Sequence, residues 1–249
     1  LKPGIKAIAV APNPTRQASL QYEIDRAVAP NPLTLADFTR KGIELLQNPN
    51  GFFLMVEGGM IDWACHANDA AAAVQETIAF DRAVEVAVKF AERHPGETLI
   101  VITADHETGG LTLGHGQTPY LNDYSLLDRQ KLSFQKFSAE VKKRKRSGLS
   151  FAEACKLVET NYGLDYGKLT TAEQAALKQA WEVSTQKRTL PEAEADELYG
   201  GHEPITVAAN RIFAAKAGLG WSTYAHTALP VLTAAIGVNS EKFTGRYDN

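Results

Sequence analysis

Cysteine is scarce. Cys65 and Cys155 are the only two among 249 residues, enough for one bridge at most and too few for a disulfide framework. No apolar run approaches the roughly 18 residues a membrane span needs. The opening Leu1-Lys2-Pro3-Gly4 lacks the basic-then-apolar pattern of a secretory signal. Neither sign of charge dominates: 26 Lys and Arg against 29 Asp and Glu leave a net charge of −3. That balance excludes a strongly basic nucleic-acid-binding face as the main feature. The one basic run, Lys142 to Arg146, reads as a solvated helix end, where cations also suit the helix dipole. What is present is ordinary for a globular chain, 44% apolar and 22% charged residues. The length suffices to bury a core as one large domain, or one domain with an insertion.

Residues 5–10 read as a short strand, and the two Ala-Pro-Asn-Pro copies at 11–14 and 29–32 as extended or turn segments. Thr34 caps a helical pattern that reaches about residue 47. The glycine-bounded apolar run 51–58 reads as a buried strand. A long helical pattern over 68–93 stops at His94-Pro95-Gly96, and a second buried strand follows at Leu99–Thr103. Strand, helix, strand with near-continuous apolar strands predicts an α/β chain with a mostly parallel sheet flanked by helices. From 117 to 218 the texture turns to amphipathic helices, a helical insertion. Strand-like pieces return at 220–226 and 230–237. The expected organisation is one compact body: an α/β core at 1–116, the insertion at 117–218 and a return to the core at 219–249.

Ligand sites in parallel α/β sheets sit at the carboxyl ends of strands. The first buried strand runs into Glu57 and then Asp62 and His66; the second runs into Asp105 and His106. Four residues apart on a helix, Asp62 and His66 share a face. Carboxylate oxygen and imidazole nitrogen are zinc donors, and Glu57 is an oxygen donor of the kind magnesium accepts. Taken singly, each pattern also describes a surface pair or a capped turn. Two such endings on successive strands would face one crevice.

VEGGMIDWACHAND at 56–69 and VITADHETGGLTLG at 101–114 resemble the two metal-binding segments of alkaline phosphatases, in the same order and with the same intervening helix. The closing HTALPVLTAAIGVNSEKFTGRYDN, from His226, resembles that family's C-terminal segment. The resemblance implies a partial alkaline phosphatase-like fold and hydrolysis of phosphate monoesters. It implies two zinc sites, one held by Asp62, His66 and His226 and the other by Asp105 and His106, with Glu57 helping to hold one magnesium. For the full-length protein it implies a periplasmic or secreted location, and it leaves a homodimer open as the assembly.

The family's nucleophilic serine, in an Asp-Ser-Ala turn well before the VEG segment, has no counterpart here, nor do its bridging aspartate, magnesium-binding threonine and phosphate-clamping arginine. Ser19 lies in a loop or helix start and does not resemble that turn. The expectation is therefore the C-terminal part of such an enzyme, inactive alone, with a start lacking Met and a tail that looks cut. His202 rivals His226 as the third zinc ligand, although its place before Pro204 also suits a helix entry. His115 reads as a loop residue and His94 as a helix-end residue. Cys65 reads as a small core residue on another helix face, and Cys155 as part of an apolar helix face. The competing functions are a related phosphomutase, phosphodiesterase or sulfatase, a non-catalytic metal-binding module, and nucleic-acid binding through the basic run.

Overall fold

The structure is a computed structural model, and it describes residues 8–11, 19–28, 33–116 and 122–247. The expected strand at 5–10 lies partly outside these residues, as does the first Pro-rich copy; the second lies wholly outside. Residues 8–11 have no regular structure.

Local chemistry sets the helix starts. Helix α1 (Leu35–Leu46) begins in a capping box: Thr34 Oγ1 accepts from the Asp37 amide, and the Asp37 side chain accepts from the Thr34 amide. Helix α2 (Met60–His66) follows Gly59 directly. Asp69 caps α3 (Ala70–Arg93) by accepting from the Ala72 amide. Four successive buried alanines, Ala70 to Ala73, let neighbours approach the start of α3 closely. Its end is marked by His94, whose Nδ1 donates to the Phe90 carbonyl at 2.9 Å while its ring stacks on Phe90.

Three two-stranded ladders are described, all antiparallel. They pair β1 (Leu99–Ile102) with β6 (Ala234–Gly237), β2 (Glu107–Thr108) with β5 (His226–Thr227), and β3 (Thr112–Leu113) with β4 (Leu219–Gly220). This corrects the expected mostly parallel sheet. The apolar run 51–57 has no regular structure and joins no ladder among the described residues, and β1 takes its one partner antiparallel. A continuous apolar run signals burial on both faces and carries no information on the direction of its neighbour. Both apolar segments stand open, with Phe53 86% and Met55 70% exposed and Leu99, Val101 and Ile236 also facing out.

The described residues between β3 and β4 are mainly helical: α4 (Phe134–Lys145), α5 (Phe151–Tyr162), α6 (Thr171–Ser184), α7 (Glu192–Tyr199) and α8 (Pro204–Ala217). Ser133, Ser150 and Thr170 cap α4, α5 and α6, and Glu203 with Pro204 opens α8. Helix α8 is buried on almost every side, through Ile205, Val207, Ala209, Phe213 and Ala217. One hydrophobic cluster joins it to Phe137, Tyr162 and Leu177, and also to Tyr22, Met60, Ala64 and Ala70–Ala73. The helical stretch and α2 therefore share a core. The basic run closes α4 with Arg144 paired to Glu140 at 2.9 Å. Among the described residues no helix is long and apolar enough to cross a membrane.

Candidate metal centre

Three segments converge: the last turns of α2, the β2 strand with the residues before it, and β5. Asp62 and His66 lie one helical turn apart on α2. In the β2–β5 ladder Thr108 faces His226 directly. His106, two residues before Thr108, projects to the same side as Thr108. The His106 and His226 rings stack with centroids 3.5 Å apart, and His66 and His226 are 5.2 Å apart. Asp62, His106 and His226 each offer a ligand atom within 4.8 Å of the others.

The close packing of these segments depends on two glycines. Gly109 and Gly110 have φ of 88° and 61°, where side chains are rarely tolerated. A Cβ on Gly109 would meet the Trp221 ring at 2.6 Å, and one on Gly110 would meet Ser222 Oγ at 1.8 Å. The Glu107 carboxylate bonds the Gly110 amide at 2.9 Å and accepts from the Thr227 hydroxyl, which ties the turn to β5.

Hydrogen-bond partners fix the tautomers of two imidazoles. His66 Nδ1 meets the Tyr224 backbone carbonyl. A carbonyl only accepts, so Nδ1 carries a proton, and in the neutral imidazole Nε2 presents a bare lone pair. Thr108 donates its hydroxyl to Asp62 Oδ1 at 2.5 Å, and its oxygen lies 3.2 Å from His106 Nδ1. The Thr108 proton being committed to Asp62, His106 Nδ1 is the donor there, and its Nε2 is also bare.

Those bare nitrogens face carboxylate oxygens. His66 Nε2 lies 3.4 Å from Asp62 Oδ1, and His106 Nε2 lies 3.3 Å from Asp105 Oδ2. Acceptor against acceptor is repulsive unless a cation or an added proton stands between them. Imidazole nitrogen with carboxylate oxygen is a donor set that zinc takes, so the residues fit a metal ion.

Not every candidate joins this group. Asp105 has its side chain 86% exposed. Glu57 is not among the three clustered residues. It lines a cavity of about 310 Å³ with Ser19, Glu23, Met60, Trp63 and Glu76. Ser19 donates there to the Leu20 carbonyl at 3.1 Å. His202 lies behind His66, bonded to its backbone and packed against Phe134 and Tyr224; burial holds its pKa below the ordinary histidine value. His115 Nε2 lies 3.3 Å from the Ala215 carbonyl. Cys65 is half-buried against the core, and burial raises its thiol pKa to about 12.

A buried acidic set lies beside α2 and α3. Burial raises Asp69 to about 6 and Glu76 to about 7, and raises Asp25 as well. Asp69 accepts from Gln130 Nε2 and the Phe134 amide, and Asp25 from the Ser133 amide and hydroxyl. Glu76 accepts from the Glu23 amide at 2.6 Å. These contacts tie residues 22–25 and the start of α4 to the α2–α3 corner.

Thr108, Glu107 and the Tyr224 carbonyl are parts of the site that sequence reasoning missed. Thr108 had a signal, since a residue two after His106 on a strand shares its face. The Tyr224 carbonyl had none.

The alkaline phosphatase family model matches residues 16–249. The chain is 33% identical over 217 residues to alkaline phosphatase 4 of Bacillus subtilis, covering 87% of this chain and 41% of that protein. The crystal structure of a cold-active alkaline phosphatase from Shewanella sp. superposes with a TM-score of 0.68 at 30% identity, over 92% of this chain and 50% of that one. The Thermus thermophilus alkaline phosphatase gives a TM-score of 0.68 at 26% identity, over 89% of this chain and 46% of that one. The chain thus spans about two fifths of the length of the curated relative it matches.

Proposed function

The chain belongs to the alkaline phosphatase family, and from that premise we infer that it carries the metal-ligand part of a phosphomonoesterase that uses two zinc ions and one magnesium. In this reading Asp62, His66 and His226 hold one zinc, Asp105 and His106 hold the second, and Glu57 helps to hold the magnesium. The observation that carries it is the pair of bare imidazole nitrogens facing carboxylate oxygens, at Asp62 and at Asp105. The cluster of Asp62, His106 and His226 crosses the two proposed zinc sites. That is consistent with neighbouring sites, since Asp62 lies close to ligands of both.

When bound, the ions supply Lewis-acid charge to the phosphoryl group and its leaving oxygen. The chain's own residues do the positioning. The Tyr224 carbonyl and Thr108 hold the two imidazoles in the ligating tautomer, and Thr108 also orients Asp62. We assign the nucleophilic serine to a part of the full-length enzyme outside this sequence, and the chain alone to inactivity. The open apolar faces of 52–55 and β1–β6 support this reading, being surfaces that a larger fold would cover. The full-length protein is assigned to the periplasm or the exterior.

A substrate panel tests the function. The full-length protein should hydrolyse p-nitrophenyl phosphate far faster than the corresponding diester or sulfate ester, and the 249-residue chain should show under about 1% of that turnover. Preference for a diester or sulfate, or full turnover by the chain alone, would overturn the assignment.

A further inference from the structure

Asn68 is fully buried, has a left-handed backbone with φ of 51°, and has its amide bonded on both sides. Its Nδ2 donates to the Cys65 carbonyl at 3.1 Å and to the Thr223 carbonyl at 2.9 Å. Its Oδ1 accepts from Arg211 Nε at 3.2 Å. One side chain thus joins the end of α2, the segment leading into β5, and α8. Asparagine suits the position twice over. It tolerates the left-handed region better than most residues, and it offers two donors and an acceptor where aspartate would offer acceptors alone.

Both partners converge on Tyr224. Thr223 precedes it in the chain, and the Arg211 guanidinium lies 4.5 Å from its ring centroid. The Tyr224 hydroxyl donates to the Leu198 carbonyl. The carbonyl held in place by these contacts is the one that receives His66 Nδ1. Beside Arg211, Asn210 donates to the Ala67 carbonyl at 3.0 Å and accepts from the Tyr162 hydroxyl at 2.7 Å. Helix α8 therefore braces the residue after His66 and the residue that sets its tautomer.

We propose that Asn68, held by Arg211, is a positioning residue that fixes α2 against residues 223–224, so that His66 keeps its proton on Nδ1 and presents Nε2 to Asp62. The proposal rests on the metal-centre reading for its consequence, but the tautomer is a property of the metal-free chain. Outer contacts of this kind typically change metal affinity by about 10–100-fold when removed.

The test uses the 249-residue chain with three variants and a control. Asn68→Gly keeps the left-handed backbone and deletes the side-chain bridges. Asn68→Asp keeps the acceptor and loses both donors. Arg211→Gln gives the same readout if neither Asn68 variant folds. Val158→Ala truncates a buried residue of α5 outside the centre and controls for a general loss of stability. Nitrogen-15 spectra of the His66 ring, taken at alkaline pH, should show a single Nδ1–H form in the parent and in Val158→Ala. The other variants should show two exchanging tautomers. Zinc affinity, from competition with a coloured chelator, should fall at least tenfold in the same variants and stay within about twofold in Val158→Ala. An unchanged tautomer in Asn68→Gly, or an equal loss of affinity in Val158→Ala, overturns the proposal. If the parent binds no zinc, the metal-centre reading fails and the tautomer alone decides for or against Asn68.

Discussion

Thr108 donates to Asp62 Oδ1 at 2.5 Å and stands directly across the β2–β5 ladder from His226. One hydroxyl therefore orients a carboxylate on α2 and an imidazole two residues before it in the chain, from a position opposite a third candidate ligand. Thr108→Val keeps the shape and the strand preference and removes only the hydroxyl. Zinc affinity should fall by about 10–100-fold, while Thr108→Ser should retain most of it. Equal affinity in the valine variant would leave the hydroxyl without a role.

Zinc should bind the folded chain alone and raise its melting temperature. At a free zinc concentration about 100 times Kd the gain is about 2.7 kcal/mol, worth roughly 5–10 °C for a chain of this size. A chelator should reverse it, and His226→Ala should abolish it without lowering the metal-free midpoint by more than about 2 °C, since the side chain is exposed. A zinc-induced rise that survives His226→Ala would place the ion elsewhere.

Glu76 should make stability fall with rising pH. Burial, with Glu23 and Asp25 close by and Arg26 opposing, raises its pKa from 4.5 to about 7. The folded chain binds that proton more tightly than the unfolded one. The contribution is full below about pH 4.5 and is lost as pH rises through about 7. Glu76→Gln keeps an acceptor for the Glu23 amide and removes the titration. Its unfolding free energy should match the parent near pH 5 and exceed it at pH 8, by an amount on the order of 2–3 kcal/mol. Parallel melting curves across that range would contradict the assignment.

The exposed apolar run should make the chain self-associate. Phe53 and Met55 are 86% and 70% exposed on a segment that joins no described ladder, the kind of surface that templates association. Phe53→Lys with Met55→Lys should reduce dye binding and light scattering, and should leave the melting temperature within about 2 °C. An undiminished tendency to associate would point to another surface.

The helices were legible in the sequence because their signals are local. Thr34, Ser150 and Thr170 announce capping boxes within four residues, and Asp62 with His66 obeys the period of one helix. The paired glycines at 109–110 were visible as a motif, but their reason, the approach of Trp221 and Ser222, was not. Strand direction was misread because an apolar run such as Leu99–Ile102 records burial and says nothing of which strand lies beside it. The link from Asn68 to Arg211 crosses 143 residues, and no periodicity reaches that far.

That span has a kinetic consequence. Asp62 and His226 lie 164 residues apart in the chain, and the brace between their segments comes from α8, which is synthesised after α2 and docks into a core built from both. Contacts this distant in sequence form late, because loop closure must come first. The metal centre is thus a product of nearly complete folding, and zinc added during refolding should be captured in the last phase without speeding the earlier ones.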